Sequence, residues 1–310
     1  MAIRSASVSK ALRRGGCGAP AAIDSAFRVV YRSNSTGRRH LQILPGGRLA
    51  VEPHHSFEQV AACRVSVLRG GAGQPLLFLH GAGGAGRWLP FMDLLAEKFE
   101  VIVPEHPGFG LSDTPPWLDN IGDVAYFYLD FIEALKLKDV HLVGSSLGGW
   151  IASETAIRDQ HPFRTLTLVA PAGIRVNGTP TADIFLWSRE ELARNLFHNG
   201  NLAEAMLNAP MSEEEQNIQL RNSITMAKLA WQPRMNNPDL KKWLHRIHLP
   251  TLIIWGDSDR LIPPSYGRAF QSLIPGSRLE VIPVCGHLPH MERTSEFVTA
   301  VASFIGAARK

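Results

Sequence analysis

From about residue 56 onward, short apolar segments alternate with amphipathic ones, and this alternation limits the folds that the chain can adopt. Several apolar segments are unbroken runs of Val, Ile and Leu, which is typical of strands covered on both faces of a sheet. Between them, Asp123–Leu137 and Glu292–Ala308 repeat apolar residues at helical spacing. Strands alternating with helices indicate an α/β fold with a mostly parallel, helix-flanked sheet. We predict eight strands at Phe57–Ala61, Arg64–Leu68, Pro75–Leu79, Glu100–Val103, Val140–Val143, Thr165–Val169, Thr251–Trp255 and Arg278–Ile282.

One region interrupts the alternation. Residues 172–248 contain no clear strand pattern, and about 75 helical residues are too many for one crossover connection between strands. We therefore predict a helical cap inserted into a core formed by residues 55–171 and 249–310. The expected cap helices are Thr181–Asn195, Leu202–Leu207, Ser212–Ala230 and Asp239–Arg246.

The N-terminal segment, residues 1–54, has a different composition from the rest. The first 50 residues contain nine Lys or Arg and one acid, Asp24. They contribute +8 to a net charge of +4, so the remaining residues carry −4. We expect this basic segment to be disordered; a transit-like presequence and extra translated residues are the alternatives. Because the high pI belongs to this segment, the folded body is not expected to bind nucleic acid.

Cysteine content and hydropathy limit the cellular environment in which the chain is expected to fold. The three cysteines show no C-x-x-C spacing, and an odd, sparse count argues against a disulfide framework. No apolar run reaches the roughly 18 residues that a membrane span requires. A reducing, cytoplasmic environment is the simplest expectation.

The strongest chemical signal is the segment that runs from the strand at Val140–Val143 through Gly144-Ser145-Ser146-Leu147-Gly148 into a helix. This is a G-x-S-x-G pattern centred on Ser146. A sharp strand-to-helix turn exposes such a serine above the sheet edge, where it can act as a nucleophile. The alternative is a glycine-rich turn whose serine only caps the helix.

A serine hydroxyl needs a general base, and the base needs an orienting acid. His287 follows the strand at Arg278–Ile282 and is the candidate base, with His290 as its rival. The H-x-x-H spacing of these two residues is a weak metal signal, and we predict no metal site. Asp259 and Asp257 follow the strand at Thr251–Trp255, and we choose Asp259, which lies further into the loop.

Gly81, Gly83 and Gly86 form a G-x-G-x-x-G pattern directly after a predicted strand. In a dinucleotide-binding fold the helix begins within the glycine run, so that its N-terminus faces the pyrophosphate. Here Pro90 suits the first turn of a helix running to about Lys98, which begins too late to hold a phosphate. We therefore expect no nucleotide and no other cofactor.

Together these segments resemble the α/β-hydrolase family over residues 56–310, and the order Ser, Asp, His is the family's order. The resemblance implies that Ser146 is the nucleophile, Asp259 the acid and His287 the base. It also implies that Ala82 and Leu147 donate backbone N–H groups to an oxyanion hole. The motifs that carry it are HGAGG at 80–84, EHPGFGLSD at 105–113, GSSLGG at 144–149, WGDSDRLIP at 255–263 and CGHLPH at 285–290.

The resemblance implies a serine hydrolase that cleaves carboxylic esters with apolar acyl or aryl groups through an acyl-enzyme intermediate. The alternative is carbon–carbon hydrolysis of ring-cleavage (vinylogous diketone) products. The hydrolases of that class usually have Asn at the position of Ser145 and Trp at the position of Leu288. A non-catalytic binding module is a third interpretation, which the filled triad positions disfavour.

Substrate contacts are expected from the loop that carries the HGAGG motif, from the neighbours of the triad and from the cap. The expected residues are His80, Gly81, Gly83, Ser145, Trp187, Trp231 and Leu288. Four cap arginines at positions 189, 194, 221 and 234 are expected either to meet a substrate carboxylate or to lie on solvated helix faces. The expected partner is a small-molecule ester or diketone, and the sequence leaves open whether the chain is a monomer or a homodimer.

Overall fold

An eight-stranded sheet lies at the centre of the described part of the chain. The structure is a computed structural model that describes residues 52–308, together with the backbone of two three-residue strands, β1 (Tyr31–Ser33) and β2 (Arg39–Leu41). These two strands pair antiparallel, and the sequence pattern did not indicate them. Apart from them and residues 52–54, the extension predicted to be disordered lies outside the described residues.

The strands of the central sheet follow the order β10-β9-β8-β7-β5-β6-β4-β3. Strand β4 pairs antiparallel with both β3 and β6, and every other pairing is parallel. This confirms the predicted mostly parallel sheet of eight strands. Their bounds are β3 His54–Val60, β4 Cys63–Gly70, β5 Pro75–Leu79, β6 Glu100–Pro104, β7 Val140–Ser145, β8 Phe163–Val169, β9 Thr251–Gly256 and β10 Arg278–Ile282.

Helices cover both faces of the sheet. In β5, Leu77 and Leu79 pack into one hydrophobic cluster, whereas Leu76 and Phe78 pack into a second cluster on the other face. Successive side chains of a strand point to opposite faces, so a strand covered on both sides needs an unbroken apolar run. The helices are α1 Pro90–Ala96, α2 Ile121–Ala134, α3 Leu147–Arg158, α4 Arg189–Leu196, α5 Gly200–Asn208, α6 Glu213–Ala230, α7 Leu240–Trp243, α8 Ser265–Leu273, α9 Pro289–Glu292 and α10 Thr294–Ala308, with a 3-10 helix at Leu244–Arg246.

Helices α4 to α7 and the 3-10 helix lie between β8 and β9, within residues 172–248, which we call the helical insert. The predicted helix at Thr181–Asn195 is wrong in its first half, because the helix begins only at Arg189. Ser188 caps it: the Ser188 hydroxyl accepts from the Glu191 amide at 3.2 Å, and the Glu191 carboxylate accepts from the Ser188 amide at 2.8 Å. Among the described residues, no helix has the length and apolarity needed to cross a bilayer.

Helix α3 lies in very close contact with the central strands. A Cβ added at Gly148 would lie 2.0 Å from the carbonyl oxygen of Leu79, and one added at Gly144 would lie 2.2 Å from the carbonyl oxygen of Gly148. Both obstacles are backbone atoms that cannot rotate away. Glycine at these positions therefore sets how closely the helix that follows Ser146 approaches β5 and β7.

We predict that Gly148→Ala lowers the free energy of unfolding by about 3 kcal/mol, because the added methyl group must displace α3 from the sheet. Urea denaturation measures the change. Gly306→Ala in α10 is the matched control, since its Cβ would meet no atom within 4 Å. That control should leave stability unchanged or raise it by up to about 1 kcal/mol. Equal effects of the two substitutions would contradict the close approach of α3.

Candidate active site

Ser146 occupies the sharp turn between β7 and α3. Its backbone has φ 53° and ψ −111°, a left-handed conformation that a residue with a side chain rarely adopts. Both backbone groups of Ser146 are bonded: its amide donates to the Val169 carbonyl at 2.9 Å, and its carbonyl accepts from the amides of Trp150 at 3.1 Å and Ala172 at 3.0 Å. The hydroxyl makes no capping bond to α3. The turn therefore holds the serine in strained geometry and leaves its oxygen free for another partner.

That partner is His287. The distance from Ser146 Oγ to His287 Nε2 is 2.9 Å, and His287 Nδ1 lies 2.7 Å from Asp259 Oδ2. The other oxygen of Asp259 accepts from the amides of Leu261 and Ile262 at 2.9 and 3.0 Å. A carboxylate only accepts, so His287 Nδ1 carries the proton and Nε2 is left to accept the serine proton. The structure thus brings the three predicted catalytic side chains into one hydrogen-bonded series.

The alternative candidates, Asp257 and His290, do not belong to this hydrogen-bonded series. Asp257 accepts from the Ser258 hydroxyl at 2.7 Å and from the Cys285 amide at 3.3 Å, and makes no contact with the His287 ring. The hydrogen bond from Ser258 is the main reason that the pKa of Asp257 lies below its usual value. His290 is enclosed by aromatic rings, including those of Phe78 and Phe91, and burial lowers its pKa to about 3.

His290 is therefore a neutral ring in the core. Its Nδ1 has no hydrogen-bond partner among the described residues. Within the part of the chain that the structure describes, His, Cys, Asp and Glu side chains form no group of three that could hold a metal ion.

The loop at residues 80–86, which is predicted to supply an oxyanion donor and which we call the oxyanion loop, is oriented by its own histidine. His80 Nδ1 donates to the Gly81 carbonyl at 2.7 Å, and the Gly84 amide donates to the same oxygen at 3.2 Å. Because a peptide group is planar, holding the Gly81 oxygen also fixes the Ala82 N–H, which points the opposite way. No described residue accepts from the Ala82 N–H. The other predicted donor, Leu147, is the first residue of α3, where amides lack partners within the helix.

A second histidine fixes the tautomer of His80. The His106 amide donates to His80 Nε2 at 3.0 Å, so the ring proton must reside on Nδ1, where it reaches Gly81. Burial lowers the pKa of His80, which keeps the ring neutral. The His80 side chain is buried against His106, with ring centroids 3.7 Å apart, so this predicted substrate contact supports the loop and does not line the cavity beside Ser146.

A narrow, mainly apolar cavity opens beside Ser146. The two tryptophans of the insert that were predicted to contact substrate do not line this cavity. Trp231 is 45% exposed and packs on Phe185, and Trp187 packs against the hydrophobic cluster that contains Leu77 and Leu79. Leu288 packs against a small cluster around Phe197. The residues that line the cavity include Ala172, Ile174, Arg175, Ile184, Leu261, Ile262 and Tyr266.

Sequence reasoning missed most of this lining. Leu261 and Ile262 lie two and three positions after Asp259 in the motif at 255–263 and could have been found from that position. Ile174 and Ile184 lie in a segment without regular secondary structure, where no periodic pattern indicates which side chains face inward. The predicted contact residue Ser145 is fully buried at the end of β7, and no described group bonds its hydroxyl.

Four of the six arginines in the insert were predicted either to meet a substrate or to lie on solvated faces, and all four bond to protein groups. Arg234 binds both oxygens of Asp183 at 2.6 Å, and Arg194 binds Glu190 and Glu204 at 2.8 and 2.7 Å. Arg189 and Arg221 donate to backbone carbonyls of Met206 and Gly110, at 2.9 and 3.2 Å. None of these four lines the cavity beside Ser146, whereas Arg175 of the insert does. The expectation that they lie on solvated helix faces is therefore wrong for Arg221, which binds a core loop.

We predict that Asp259→Asn lowers kcat by about 10⁴-fold, because the amide favours the wrong imidazole tautomer. Asp257→Asn is the matched control, since Asp257 has no contact with the ring, and it should change kcat by less than about threefold. Steady-state ester hydrolysis measures both. A large loss with Asp257→Asn and a small loss with Asp259→Asn would reverse the assignment.

Comparison with known proteins agrees with this geometry. A family model described as the alpha/beta hydrolase fold matches residues 74–294. The chain is 27% identical over 268 residues to the 2-hydroxymuconate semialdehyde hydrolase of Pseudomonas sp. strain CF600, covering 80% of this chain and 92% of that protein. It is 29% identical over 269 residues to the 2-hydroxy-6-oxo-6-phenylhexa-2,4-dienoate hydrolase of Burkholderia cepacia, covering 78% and 91%.

A solved structure is also similar. The crystal structure of a membrane phospholipase A, described as a bacterial virulence factor, superposes with a TM-score of 0.68 at 26% identity, covering 84% of this chain and 87% of that one. The family model spans most of residues 52–308 and includes Ser146, Asp259 and His287. The chain is a hydrolase that belongs to the α/β-hydrolase fold family.

Proposed function

We propose that this protein is a serine hydrolase that cleaves carboxylic esters with apolar acyl or aryl groups through an acyl-enzyme intermediate. The observation that carries the proposal is the bonded series from Ser146 Oγ through His287 to Asp259, with distances of 2.9 and 2.7 Å. Both distances lie within the range needed for general-base activation of a hydroxyl. The groups of this site are sufficient for every step of ester hydrolysis.

The reaction begins when Ser146 Oγ attacks the ester carbonyl while His287 Nε2 takes its proton. Asp259 stabilises the imidazolium that forms and keeps the ring in position. The tetrahedral oxyanion accepts hydrogen bonds from the Ala82 and Leu147 amides. Each such donor contributes about 3–4 kcal/mol to transition-state stabilisation. His287 then protonates the leaving alcohol, and an activated water releases the acid in a second round.

The cavity beside Ser146 supports an apolar acyl group. Aliphatic side chains such as Ile174, Ile184 and Ile262 dominate its lining. Two polar groups of the lining are already bonded: the Tyr266 hydroxyl donates to the Thr179 carbonyl at 2.7 Å, and Arg175, the charged residue of the lining, donates to the Arg234 carbonyl. Burying each methylene of an acyl chain there contributes about 0.8 kcal/mol of binding. Because the cavity is small, short acyl groups fit it best.

Carbon–carbon hydrolysis is the second candidate, and the two curated relatives favour it, since their names describe hydrolases of a semialdehyde and of a phenylhexadienoate. Two positions count against it. Ser145 and Leu288 stand where hydrolases of that class usually have Asn and Trp. The Leu288 side chain packs against the small cluster around Phe197. Unlike a tryptophan, it has no polar atom that could form a hydrogen bond with a substrate.

Nitrophenyl esters of increasing acyl length, assayed beside a vinylogous diketone acid, test the proposal. We expect kcat/KM for the esters to exceed that for the diketone by about tenfold or more, which corresponds to about 1.4 kcal/mol of transition-state binding. We also expect kcat/KM to peak at short acyl chains. Faster cleavage of the diketone would favour the second candidate.

The variant Ser146→Ala identifies the residue responsible. It should abolish ester turnover and labelling by a fluorophosphonate probe, because the nucleophile is lost. Ser145→Ala is the matched control: the hydroxyl is one residue away but buried within β7, so turnover and labelling should persist. Labelling that survives in Ser146→Ala and disappears in Ser145→Ala would contradict the assignment.

A further inference from the structure

Helix α6 of the helical insert is bonded to two loops of the core. These are the oxyanion loop and the loop at residues 105–113. Asn222, on the face of α6 that meets the core, is 3% exposed. Its Nδ2 donates to the Gly83 carbonyl at 3.1 Å, and its Oδ1 accepts from the Gly110 amide at 2.8 Å. One side chain of the insert therefore joins both core loops.

The contact with the oxyanion loop is sterically tight. Gly84 has φ +86°, and a Cβ at this position would lie 2.7 Å from Asn222 Nδ2. The next amide, that of Ala85, donates to Glu105 Oε1 at 3.1 Å. Consecutive peptides of the loop are thus held by a side chain of the insert and a side chain of the core.

These bonds act on the same turn that presents the Ala82 N–H. The Gly84 amide closes the turn by donating to the Gly81 carbonyl at 3.2 Å, and the Gly83–Gly84 peptide supplies that amide. Asn222 holds the oxygen of this same peptide. Because the peptide is planar, fixing its oxygen also fixes the Gly84 N–H that bonds Gly81. Asn222 therefore adds, through one intervening peptide, a second hold on the Gly81 oxygen besides the direct bond from His80 Nδ1, and both holds orient the Ala82 N–H.

We propose that Asn222 is a positioning residue for the oxyanion hole, through which the helical insert orients the Ala82 donor. This inference rests on the proposed function, since it assigns the loop to oxyanion binding. Asn222 makes no hydrogen bond to Ser146 or His287. It acts only through the Gly83–Gly84 peptide.

Thr225 provides a matched control on the same helix. Its hydroxyl donates to the Gly108 carbonyl at 2.7 Å, and it is 5% exposed. Thr225→Val removes a buried bond between α6 and the core while keeping the side-chain shape, and it leaves the oxyanion loop untouched. A general weakening of insert docking should affect both variants, whereas a positioning role should affect only Asn222 variants.

Two variants of Asn222 separate its two bonds. Asn222→Ala removes both, while Asn222→Asp keeps an acceptor for the Gly110 amide and loses the donor to Gly83. Circular dichroism confirms that each variant is folded. If Asn222→Ala does not fold, the comparison of Asn222→Asp with Thr225→Val is sufficient.

The first measurement is amide hydrogen exchange in a peptide that spans residues 80–89. It needs no turnover, so it tests the contact even if the proposed ester hydrolysis fails. We expect exchange in this peptide to become about tenfold faster in the Asn222 variants and to stay unchanged in Thr225→Val. Equal exchange in the Asn222 and Thr225 variants would overturn the inference.

The second measurement is the burst-phase acylation of wild type and variants by a short nitrophenyl ester. The acylation rate constant should fall about tenfold or more in the Asn222 variants, because the oxyanion donor is less well aligned. The dissociation constant of the ester in the same burst experiment should stay within about twofold, since the donor acts mainly on the transition state. An unchanged acylation rate, or an equal loss in Thr225→Val, would overturn the inference while the proposed function stands.

Discussion

The geometry of the site depends on how closely α3 approaches the central strands. Glycines at positions 144 and 148 remove the Cβ atoms that would collide with backbone carbonyls. This close approach leaves room only for a sharp turn, and Ser146 therefore adopts a positive φ. The strain is held by three backbone hydrogen bonds around that residue. A serine in this position has few alternative conformations, so its oxygen stays near the imidazole of His287.

Both the core and the insert support this fixed serine. The core supplies Asp259, whose carboxylate is held by two backbone amides, and His80, which orients the oxyanion loop. The insert supplies a carbonyl at Leu196, which accepts from the His287 amide at 2.8 Å, and the side chain of Asn222. The helical insert is therefore bonded to the segments that carry two of the proposed catalytic groups, the imidazole and an oxyanion donor.

Sequence alone predicted the elements whose signal is local. The strands were found because a sheet covered on both faces requires unbroken apolar runs, as in Leu76 to Leu79. Ser146, Asp259 and His287 could be chosen because each follows a strand, and the strands of a parallel sheet end at the same edge. The start of α4 at Arg189 could also have been predicted, because Ser188 and Glu191 form a capping box. The apolar pattern alone placed the start too early.

Contacts between distant segments could not be predicted in this way. Asn222 and Gly83 are 139 positions apart, and an Asn within a polar helix carries no signal of a distant carbonyl. Trp187 and Trp231 were chosen for their size and apolarity, which do not reveal which way a side chain points. The cavity is lined instead by residues such as Ile174, which lies in a segment whose sequence has no helical or strand periodicity.

The most direct test of the central claim is chemical capture of the intermediate. Wild-type protein is mixed with a short nitrophenyl ester, quenched in acid during the burst phase, digested and examined by mass spectrometry. An acyl group on the Ser146 side chain, formed before steady-state turnover begins, is the predicted result. Ester turnover with no acyl group on Ser146, or with the acyl group on another residue, would contradict the account.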